Sequence, residues 1–286
     1  MKILGINISN NGSICYLNKG KVEFYLESER ISRKKMDYRV DVLYPLIKDK
    51  KVDAIALADS HWVLPEKKML STKDIEHIKR MFPDAKRLDF RQQHHLTHVA
   101  GAFYNSGFKE AACIVVDSNG SMLDGGMEIE TIMHAKTGRR FYWRTLHKKY
   151  HTEDDIGIGK LFEEVAKHCG FHGDDAGKVM GLAPYGRCKT IDLYNMTEYT
   201  PRNDAAHTVQ SMWEKRAIQL VEMALSKSKC DNIVLSGGCF LNCVVNYKIK
   251  KHFPGINLYA EPIAHDGGTA VGAAYLAHYD PKIKDT

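Results

Sequence analysis

Long apolar runs and paired cysteines are both absent from this sequence. No stretch approaches the roughly 18 apolar residues of a membrane helix, so we expect no membrane partner. The N-terminal MKILGINIS enters a strand pattern at once and lacks the long apolar core of a signal peptide. The seven cysteines form no CxxC pair, and their odd number in a long chain favours a reduced, cytoplasmic protein over a disulfide framework.

Charge of one sign is present in only mild excess. The 41 Lys and Arg residues outnumber the 35 Asp and Glu residues, which gives a net charge of +6. This excess permits a polyanionic partner such as nucleic acid but does not require one. The 286 residues, 44% of them hydrophobic, contain no low-complexity segment and fit one large domain or two lobes.

Apolar periodicity predicts the elements of the N-terminal part. KILGINIS, SICYL and KVEFYLES read as three strands joined by the turn sequences NNG and NKG. A charged helix is predicted from about Arg33 to Lys51, followed by the buried strand VDAIALAD. The region from His61 to Arg80 reads as a loop and a helix, and AKRLDF reads as a short strand.

The same pattern then starts again. AACIVVDSNG, GGMEIETIMHAK and RFYWRTLHKKY read as strands, and IGKLFEEVAKHCGF has the apolar spacing of a helix. A loop, HGDDAGKVMGLAPYG, precedes a long helix from about Ala205 to Ser226. The strands NIVLSGG and NLYAE then alternate with the helices FLNCVVNYKIKKHF and GGTAVGAAYLAHY. Two such rounds predict a duplicated α/β fold with a cleft between two lobes.

Three histidines crowd five positions in HHLTHVAGAF, which occupies residues 94–103. The segment reads as a helix up to about Asn105. Residues four apart lie on one face of a helix, so His94 and His98 can bind one metal ion. Their alternative role is that of polar residues at a helix start. Two histidines do not complete a metal site, so further ligands are needed elsewhere in the chain.

Two aspartates stand where such ligands are expected. Asp117 ends a buried strand, and side chains there point into the crevice where α/β sheets bind ligands. Asp266 lies at a strand-to-helix turn beside His265. Asp117 can instead stabilise a turn, and Asp266 can simply cap the last helix. Together with the two histidines they would form a mixed nitrogen and oxygen site suited to iron, zinc or manganese.

Glycine-containing turns on this duplicated frame indicate nucleotide binding. In LSGGCFLN and GKVMGLAPYG, glycines would let backbone N–H groups approach a phosphate near a helix start. Isolated glycine pairs most often only make turns, but a third such segment, NNGS, lies in the first hairpin. The candidate nucleotide-binding residues are Asn10, Gly12, Ser13, Lys178, Gly181, Gly237, Gly238 and Asn242.

Four motifs together resemble one family. HHLTHVAGAFYNSGF, GKVMGLAPYG, SGGCFLNCVVNYKI and EPIAHDGGTAVGAA occur in the order found in the O-carbamoyltransferases of nodulation and antibiotic tailoring. The resemblance is to their Kae1-like domain, of the actin/Hsp70/sugar-kinase superfamily, and runs over nearly the whole chain. It implies one domain over residues 1–286, with lobes of about 1–108 and 109–286 around a nucleotide cleft.

The resemblance also implies a chemistry. Carbamoyl phosphate and ATP, with Mg²⁺ as a further candidate cofactor, form carbamoyl-adenylate, and the carbamoyl group passes to an acceptor hydroxyl. An iron-like metal, Fe²⁺ or alternatively Zn²⁺ or Mn²⁺, is implied at His94, His98, Asp117 and Asp266. His95 is expected to support this site without binding the metal. The sequence does not identify the base that accepts the proton of the hydroxyl.

The chain departs from the family pattern in three places. It reads NNGS at positions 10–13, where family members carry a His-Asp pair, and Asp117 is followed by Ser118 and not by glycine. The family's second, YrdC-like domain is expected to be absent. We therefore expect a separate YrdC-like protein to supply the activated carbamoyl group, or the chain to act as half of a split enzyme.

The acceptor is the least determined part of this prediction. A hydroxymethylated pyrimidine of the 5-hydroxymethylcytosine type, in DNA or a nucleotide, competes with a sugar or antibiotic hydroxyl. For a DNA acceptor, basic residues such as Arg33, Lys34, Lys148 and Lys149 are expected to contact phosphates, although charge runs are usually solvated faces. Threonylcarbamoyl transfer to tRNA adenosine and a non-catalytic nucleotide-binding subunit are further alternatives.

Overall fold

Two sheets organise the computed structural model, which describes residues 1–59, 65–138, 141–187 and 191–279. The first sheet contains β1 (Lys2–Asn7), β2 (Ser13–Asn18), β3 (Lys21–Glu27), β4 (Ala54–Ala58) and β5 (Lys86–Asp89). The second contains β6 (Glu110–Val116), β7 (Met122–Leu123), β8 (Gly126–Lys136), β9 (Tyr142–Tyr150), β10 (Asn232–Ser236) and β11 (Asn257–Ala260). The helices are α1 (Ser28–Ser32), α2 (Pro65–Met81), α3 (His94–Ser106), α4 (Gly157–His168), α5 (Ala176–Leu182), α6 (Arg202–Ser228), α7 (Cys243–His252) and α8 (Thr269–Tyr279).

The two sheets share one strand order. The first runs β3-β2-β1-β4-β5, with β1, β2 and β3 antiparallel and β4 and β5 parallel to β1. The second runs β9-β8-β6-β10-β11 with the same directions, and the two-residue β7 adds to β8. The predicted duplication of a three-strand meander followed by two helix–strand units is therefore confirmed.

Helices α3 and α8 lie between the two sheets. Side chains of both helices share one core with the inner faces of both sheets, for example Phe103 and Leu276 with Ile3 and Val115. The outer face of the first sheet is covered by its own connecting segments, and that of the second by α4, α6 and α7. Because α3 is enclosed on all sides, its histidines are buried and not solvated.

Two glycines allow this central layer to close. A Cβ on Gly272 of α8 would lie 1.7 Å from the carbonyl oxygen of Thr97 in α3. A Cβ on Gly5 of β1 would lie 2.0 Å from the carbonyl oxygen of Ala270. Backbones can approach this closely only where no side chain intervenes, so these glycines set the positions of α3 and α8 relative to the first sheet.

Two predicted elements were wrong. The helix predicted from about Arg33 to Lys51 is absent, because Arg33 and Met36 have positive φ values of 59° and 55° and Pro45 interrupts the segment. It contains only a 3₁₀ turn, at Asp41–Leu46. The loop predicted at residues 172–186 instead contains α5 and a 3₁₀ turn, because good helix formers surround two glycines that do not adopt positive φ.

Other predicted boundaries are close to the observed ones. The histidine helix extends one residue beyond Asn105, and the helix predicted from Ala205 to Ser226 is α6. The helix expected before residue 80 is α2, whereas residues 60–64 lie outside the described part of the chain. None of the described helices is long and apolar enough to cross a membrane. The division near residue 108 separates the strands of the two sheets, but α8 returns to pack on β1.

Candidate metal centre and ligand cavity

Helix α3 brings His94 and His98 together near the strand ends of both sheets. The helix follows the end of β5, where the Phe90 N–H donates to the Leu57 carbonyl (2.8 Å) and the Gln93 N–H donates to the Phe90 carbonyl (2.9 Å). The two histidines are one turn apart, and their Nε2 atoms lie 3.1 Å from each other. Both rings therefore present the same nitrogen to one point.

Two carboxylates approach this point from different elements. Asp117 directly follows β6, and its Oδ2 lies 3.6 Å from His94 Nε2 and 3.4 Å from His98 Nε2. Asp266 lies in the turn between β11 and α8, and its Oδ1 is 3.6 and 3.9 Å from the same two nitrogens. The four candidate ligand atoms all lie within 4.8 Å of one another. The structure thus brings together all four residues predicted as metal ligands.

The environment of the cluster fits a cation. Asp117 Oδ2 is buried and has no hydrogen-bond partner among the described residues. In the part of the chain that the structure describes, no backbone N–H is seen to donate to the Asp266 carboxylate, so its alternative role as a helix cap gains no support. Buried carboxylate oxygens without partners are costly. A divalent metal would satisfy them, and two imidazoles with two carboxylates suit iron, zinc or manganese.

Electrostatics within the cluster favour opposite charges on its members. Burial opposes a charge on His94, but the carboxylates of Asp266 and Asp117 outweigh burial and raise the pKa of His94 well above its usual value. Burial would raise the pKa of Asp117, but the nearby imidazoles of His94 and His98 outweigh burial and lower it. Asp117 is therefore ionised at neutral pH and attracts a cation.

Neighbouring side chains hold the histidine rings. The other ring nitrogen of His98, Nδ1, lies 3.3 Å from the hydroxyl of Ser236 at the end of β10. His95 points elsewhere, with its Nδ1 2.7 Å from the hydroxyl of Thr131, and burial lowers its pKa to about 4. A neutral His95 that is hydrogen-bonded to the second sheet agrees with the expected supporting role.

A cavity of about 670 Å³ opens beside the cluster, and Asp117 and Asp266 form part of its wall. Its polar lining includes Asn10, Asn119 and Asn242, and its apolar lining includes Phe162, Met180, Trp213 and Leu241. Arg30 and Lys35 contribute positive charge to the wall. Cavities of this size hold small-molecule ligands or cofactors, so the cluster stands at the wall of a ligand site.

The carbamoyltransferase N-terminus family matches residues 48–200 and 189–275. The chain belongs to this family. Its relatives include the nodulation protein NolNO of Sinorhizobium fredii, 24% identical over 226 residues that cover 68% of this chain and 32% of the relative. An uncharacterized protein of Synechocystis is 27% identical, over 64% of this chain and 35% of its own length. The chain thus spans about a third of the length of these curated relatives.

Solved structures show the same fold at low sequence identity. Full-length HypF, solved in a phosphate- and nucleotide-bound form, is similar over 100% of this chain and 56% of its own, with a TM-score of 0.60 and 14% identity. A ROK family protein from Streptococcus pneumoniae, solved with sucrose, is similar over 97% of this chain and 98% of its own, with a TM-score of 0.52 and 13% identity. The predicted actin/Hsp70/sugar-kinase-like fold is therefore confirmed.

The candidate nucleotide-binding residues of this carbamoyltransferase-family chain fall into separate groups. Asn10, Gly238 and Asn242 line the cavity. The Asn242 side chain caps α7 by accepting from the Val245 N–H (3.2 Å), and its Nδ2 donates to the side-chain oxygen Oε1 of Gln210 (2.7 Å). These contacts fix the orientation of its amide group.

The first hairpin and the turn after β10 contribute glycines that support the wall. Gly237 has a φ of 89°, and a Cβ there would lie 2.3 Å from the Val116 carbonyl oxygen. A Cβ on Gly12 would lie 2.6 Å from the Tyr38 carbonyl oxygen, and the Ser13 hydroxyl donates to the Gly267 carbonyl (2.7 Å). Ser13 thus holds the hairpin against the turn that carries Asp266, whereas Gly12 lets the hairpin pass the backbone of Tyr38.

Lys178 and Gly181 lie on α5 and are not among the described residues that line the cavity. Lys178 Nζ lies 2.8 Å from Asp175 Oδ2, and Lys35 Nζ lies 2.7 Å from Asp175 Oδ1. Lys35 is on the segment after α1, so Asp175 connects the two halves of the chain beside the cavity. Sequence reasoning missed Lys35, although it lies in the basic run next to Lys34.

The four basic residues predicted to contact phosphates also fall into two groups. Arg33 and Lys34 are exposed. Lys148 Nζ instead lies 2.7 Å from the buried carboxylate of Glu128, and Lys149 Nζ lies 2.5 Å from Asp155. Both of the latter lysines are already engaged in ion pairs within the protein.

Three further acidic or basic side chains escaped sequence reasoning about the site. Glu27 lies at the end of β3 and lines the cavity with His265, whose Nε2 is 3.5 Å from Glu27 Oε1. Asp59 follows β4, and burial raises its pKa to about 7. The signal for Asp59 was available, since VDAIALAD ends in an acid after a buried strand just as AACIVVD does.

Proposed function

We propose that this chain transfers a carbamoyl group to a hydroxyl acceptor at the cluster of His94, His98, Asp117 and Asp266. One observation carries the proposal. In a member of the carbamoyltransferase N-terminus family, four metal-ligating side chains converge within 4.8 Å at the wall of a cavity of about 670 Å³. The activated donor is carbamoyl-adenylate, formed from carbamoyl phosphate and ATP.

The transfer step makes one bond and breaks one. The acceptor oxygen bonds to the carbamoyl carbon, the bond from that carbon to the adenylate phosphate oxygen breaks, and AMP leaves with the electron pair. Fe²⁺, or alternatively Zn²⁺ or Mn²⁺, bound at the cluster supplies a Lewis acid for the carbamoyl carbonyl. Glu27 and His265, which face the same cavity, are placed to take the proton lost by the hydroxyl.

The cavity wall offers partners for the adenylate. Asn10, Gly238 and Asn242 provide polar groups, while Trp213 and Phe162 provide apolar surface for a base. Arg30 and Lys35 are the cations on this wall that suit a phosphate. The structural relative HypF, which was solved with phosphate and nucleotide, supports nucleotide binding by this fold.

We propose a hydroxymethylated pyrimidine in DNA or a nucleotide as the acceptor. The net charge of +6 and the exposed Arg33 and Lys34, next to the cavity-lining Lys35, support a polyanion. The size of the cavity favours the second candidate, a small molecule with a sugar-type hydroxyl. We further propose that a separate YrdC-like protein supplies carbamoyl-adenylate.

The decisive experiment measures the mass of the acceptor. The chain, loaded with Fe²⁺, Zn²⁺ or Mn²⁺ in turn, receives carbamoyl phosphate and ATP with Mg²⁺, with and without a YrdC-like protein. Parallel reactions receive preformed carbamoyl-adenylate, which bypasses the first step. The acceptors are 5-hydroxymethylcytosine DNA, its nucleotide, an aminoglycoside and tRNA.

We expect the DNA or the nucleotide to gain the mass of one carbamoyl group, and Asp117→Ala to abolish the gain. Transfer to the aminoglycoside alone would establish the small-molecule reading instead. A threonylcarbamoyl gain on tRNA, seen when threonine is added, would establish that alternative. No transfer to any acceptor from preformed carbamoyl-adenylate would overturn the enzymatic proposal and leave a nucleotide-binding subunit.

A further inference from the structure

The two histidines of the cluster differ in how their outer nitrogens are held. A metal-bound histidine almost always donates its second ring N–H to a carboxylate, a carbonyl or a water, which fixes the tautomer and the ring orientation. His98 has such a partner, the hydroxyl of Ser236 at 3.3 Å from its Nδ1. His94 has none among the described residues, although its Nδ1 is completely buried.

A second buried atom without a partner belongs to Asp59. This residue directly follows β4 and is 4% exposed, and its Oδ1 has no hydrogen-bond partner in the described part of the chain. Of the charged side chains that act on this carboxyl, His94 has the strongest effect, ahead of Arg91 and Asp266. The buried Nδ1 of His94 therefore needs a hydrogen-bond acceptor, and the buried Oδ1 of Asp59 is an acceptor without a donor.

The strand connections place Asp59 beside the cluster. On one side of β4, the Ile8 N–H donates to the Ala58 carbonyl (3.2 Å), and the next residue, Ser9, has its hydroxyl 3.5 Å from Asp266 Oδ2. On the other side, the chain leaves the end of β5 through Phe90 and turns directly into His94. Asp59 is thus enclosed between the segment that contacts one candidate ligand and the segment that leads to another.

We propose that Asp59 is the positioning residue of His94, accepting a hydrogen bond from its Nδ1–H when Nε2 binds a divalent metal. The inference rests on the metal centre of the proposed function but not on carbamoyl transfer itself. It gives each histidine its own partner, Ser236 for His98 and Asp59 for His94. It also explains why the chain buries a carboxyl that belongs to neither the ligand cluster nor the cavity wall.

Metal affinity, measured without turnover, tests this role. Zn²⁺ and Fe²⁺ are titrated separately into the full chain in competition with a chelator, and Co²⁺-loaded protein is examined by visible absorption. We expect Asp59→Leu to weaken metal binding by about 10- to 100-fold and to shift the Co²⁺ spectrum. Asp59→Asn, whose amide oxygen still accepts a hydrogen bond, should lose less affinity.

Two controls separate positioning from a general effect of charge or stability. Asp84→Asn removes an exposed carboxylate just before the neighbouring β5, at the end of that strand away from Asp59, and should leave the affinity unchanged. Ser236→Ala removes the partner of His98 and not that of His94, so Asp59→Asn added to Ser236→Ala should cause a further, additive loss of affinity. Thermal melting shows whether each variant is folded.

The outcomes are distinct. Unchanged affinity and an unchanged Co²⁺ spectrum in folded Asp59→Leu would overturn the inference, and if that variant does not fold, Asp59→Asn decides in its place. An Asp59→Asn loss that disappears in the Ser236→Ala background would also overturn it. If metal affinity depends on Asp59 but the wild-type chain transfers no carbamoyl group, the proposed function alone is refuted. A wild-type chain that binds no metal would refute both.

Discussion

Gly272 of α8 lies directly against Thr97 of α3, so that a Cβ on Gly272 would be 1.7 Å from the Thr97 carbonyl oxygen. Thr97 stands between the two histidines of the candidate metal centre. Helix α8, in turn, begins three residues after Asp266. The contact between one glycine and one carbonyl therefore determines how closely two histidines and a carboxylate from opposite ends of the chain approach one another.

Gly272→Ala should separate these ligands. The added methyl group meets backbone, which cannot rotate away, so we expect a loss of about 1–3 kcal/mol in the free energy of unfolding and weaker Zn²⁺ binding. Gly255→Ala is the matched control, because a Cβ there meets nothing within 4 Å. Denaturant unfolding and chelator competition measure the two effects, and wild-type metal affinity in Gly272→Ala would contradict this account.

Removal of either kind of ligand should remove the metal. His94→Ala and Asp266→Ala are each expected to abolish bound metal and activity while the fold survives, because the remaining three groups leave a vacant coordination position. Metal analysis by mass spectrometry, together with circular dichroism, checks both statements. His172→Ala, a change at an exposed histidine, is the control and should keep full occupancy. Full occupancy in both ligand variants would refute the assignment.

The sequence predicted those features that depend on apolar periodicity. The duplicated strand order and the start of α3 at His94 follow from patterns of buried residues, which are local and repeat. The convergence of His94, His98, Asp117 and Asp266 was anticipated from strand ends, helix spacing and family resemblance together. Spacing alone left Asp266 open to a capping role.

Features that depend on individual backbone angles or on distant partners were not predictable. Left-handed conformations at Arg33 and Met36 end the helix that composition favoured there, and no residue type at those positions signals them. Two glycines suggested a phosphate loop where α5 forms. Lys148 appeared to be a surface cation because its partner Glu128 is 20 residues away on another strand.

Because Lys148 pairs with the buried Glu128, we expect substitutions of Lys148 and Lys149 to affect stability differently. Lys148→Met leaves the carboxylate of Glu128 buried and unpaired, which should cost about 3 kcal/mol of unfolding free energy. Lys149→Met breaks an ion pair with the partly exposed Asp155 and should cost less than about 1 kcal/mol. Chemical denaturation of both variants provides the measurement. Equal costs would show that Glu128 is satisfied without Lys148.

Glu128 should also make stability depend on pH. Burial opposes its ionisation, but His95 and Lys148 outweigh burial and lower its pKa from 4.5 to about 2. Because His95 is uncharged above about pH 4, Lys148 is the effective partner at neutral pH. A lowered pKa contributes stability above pH 4.5 that is lost as the pH falls towards 2. The stability difference between wild type and Glu128→Gln should therefore shrink over this range, and a constant difference would contradict it.

Nucleotide binding can distinguish the two lysines that share Asp175. Sequence motifs indicate Lys178, whereas the geometry places Lys35 on the cavity wall. We expect Lys35→Met to weaken binding of ATP, measured by calorimetry with metal present, more than Lys178→Met does. Arg202→Met, a change of a cation outside the cavity lining, serves as the control. A larger loss in Lys178→Met would show that α5 moves to bring its lysine to the phosphates.

A DNA acceptor has its own signature in salt dependence. Phosphate contacts release counterions, so the logarithm of affinity should fall with the logarithm of salt concentration by about 0.9 per contact on duplex DNA. Arg33→Ala and Lys34→Ala remove exposed cations on the segment that leads to the cavity-lining Lys35, and each should reduce this slope by about 1. Neither should change ATP binding. Lys109→Ala, just before the start of β6 and at the other end of that strand from Asp117, is the control and should leave the slope unchanged. A base in duplex DNA must be flipped out to bring its hydroxyl to a buried cluster, so single strands or mismatched sites should react faster than matched duplex.

Fluorescence anisotropy at several salt concentrations, combined with mass spectrometry of the modified base, measures all three effects. A salt-independent reaction that the two variants leave unaltered would refute DNA as the acceptor and favour a small hydroxylated molecule that fits within the cavity.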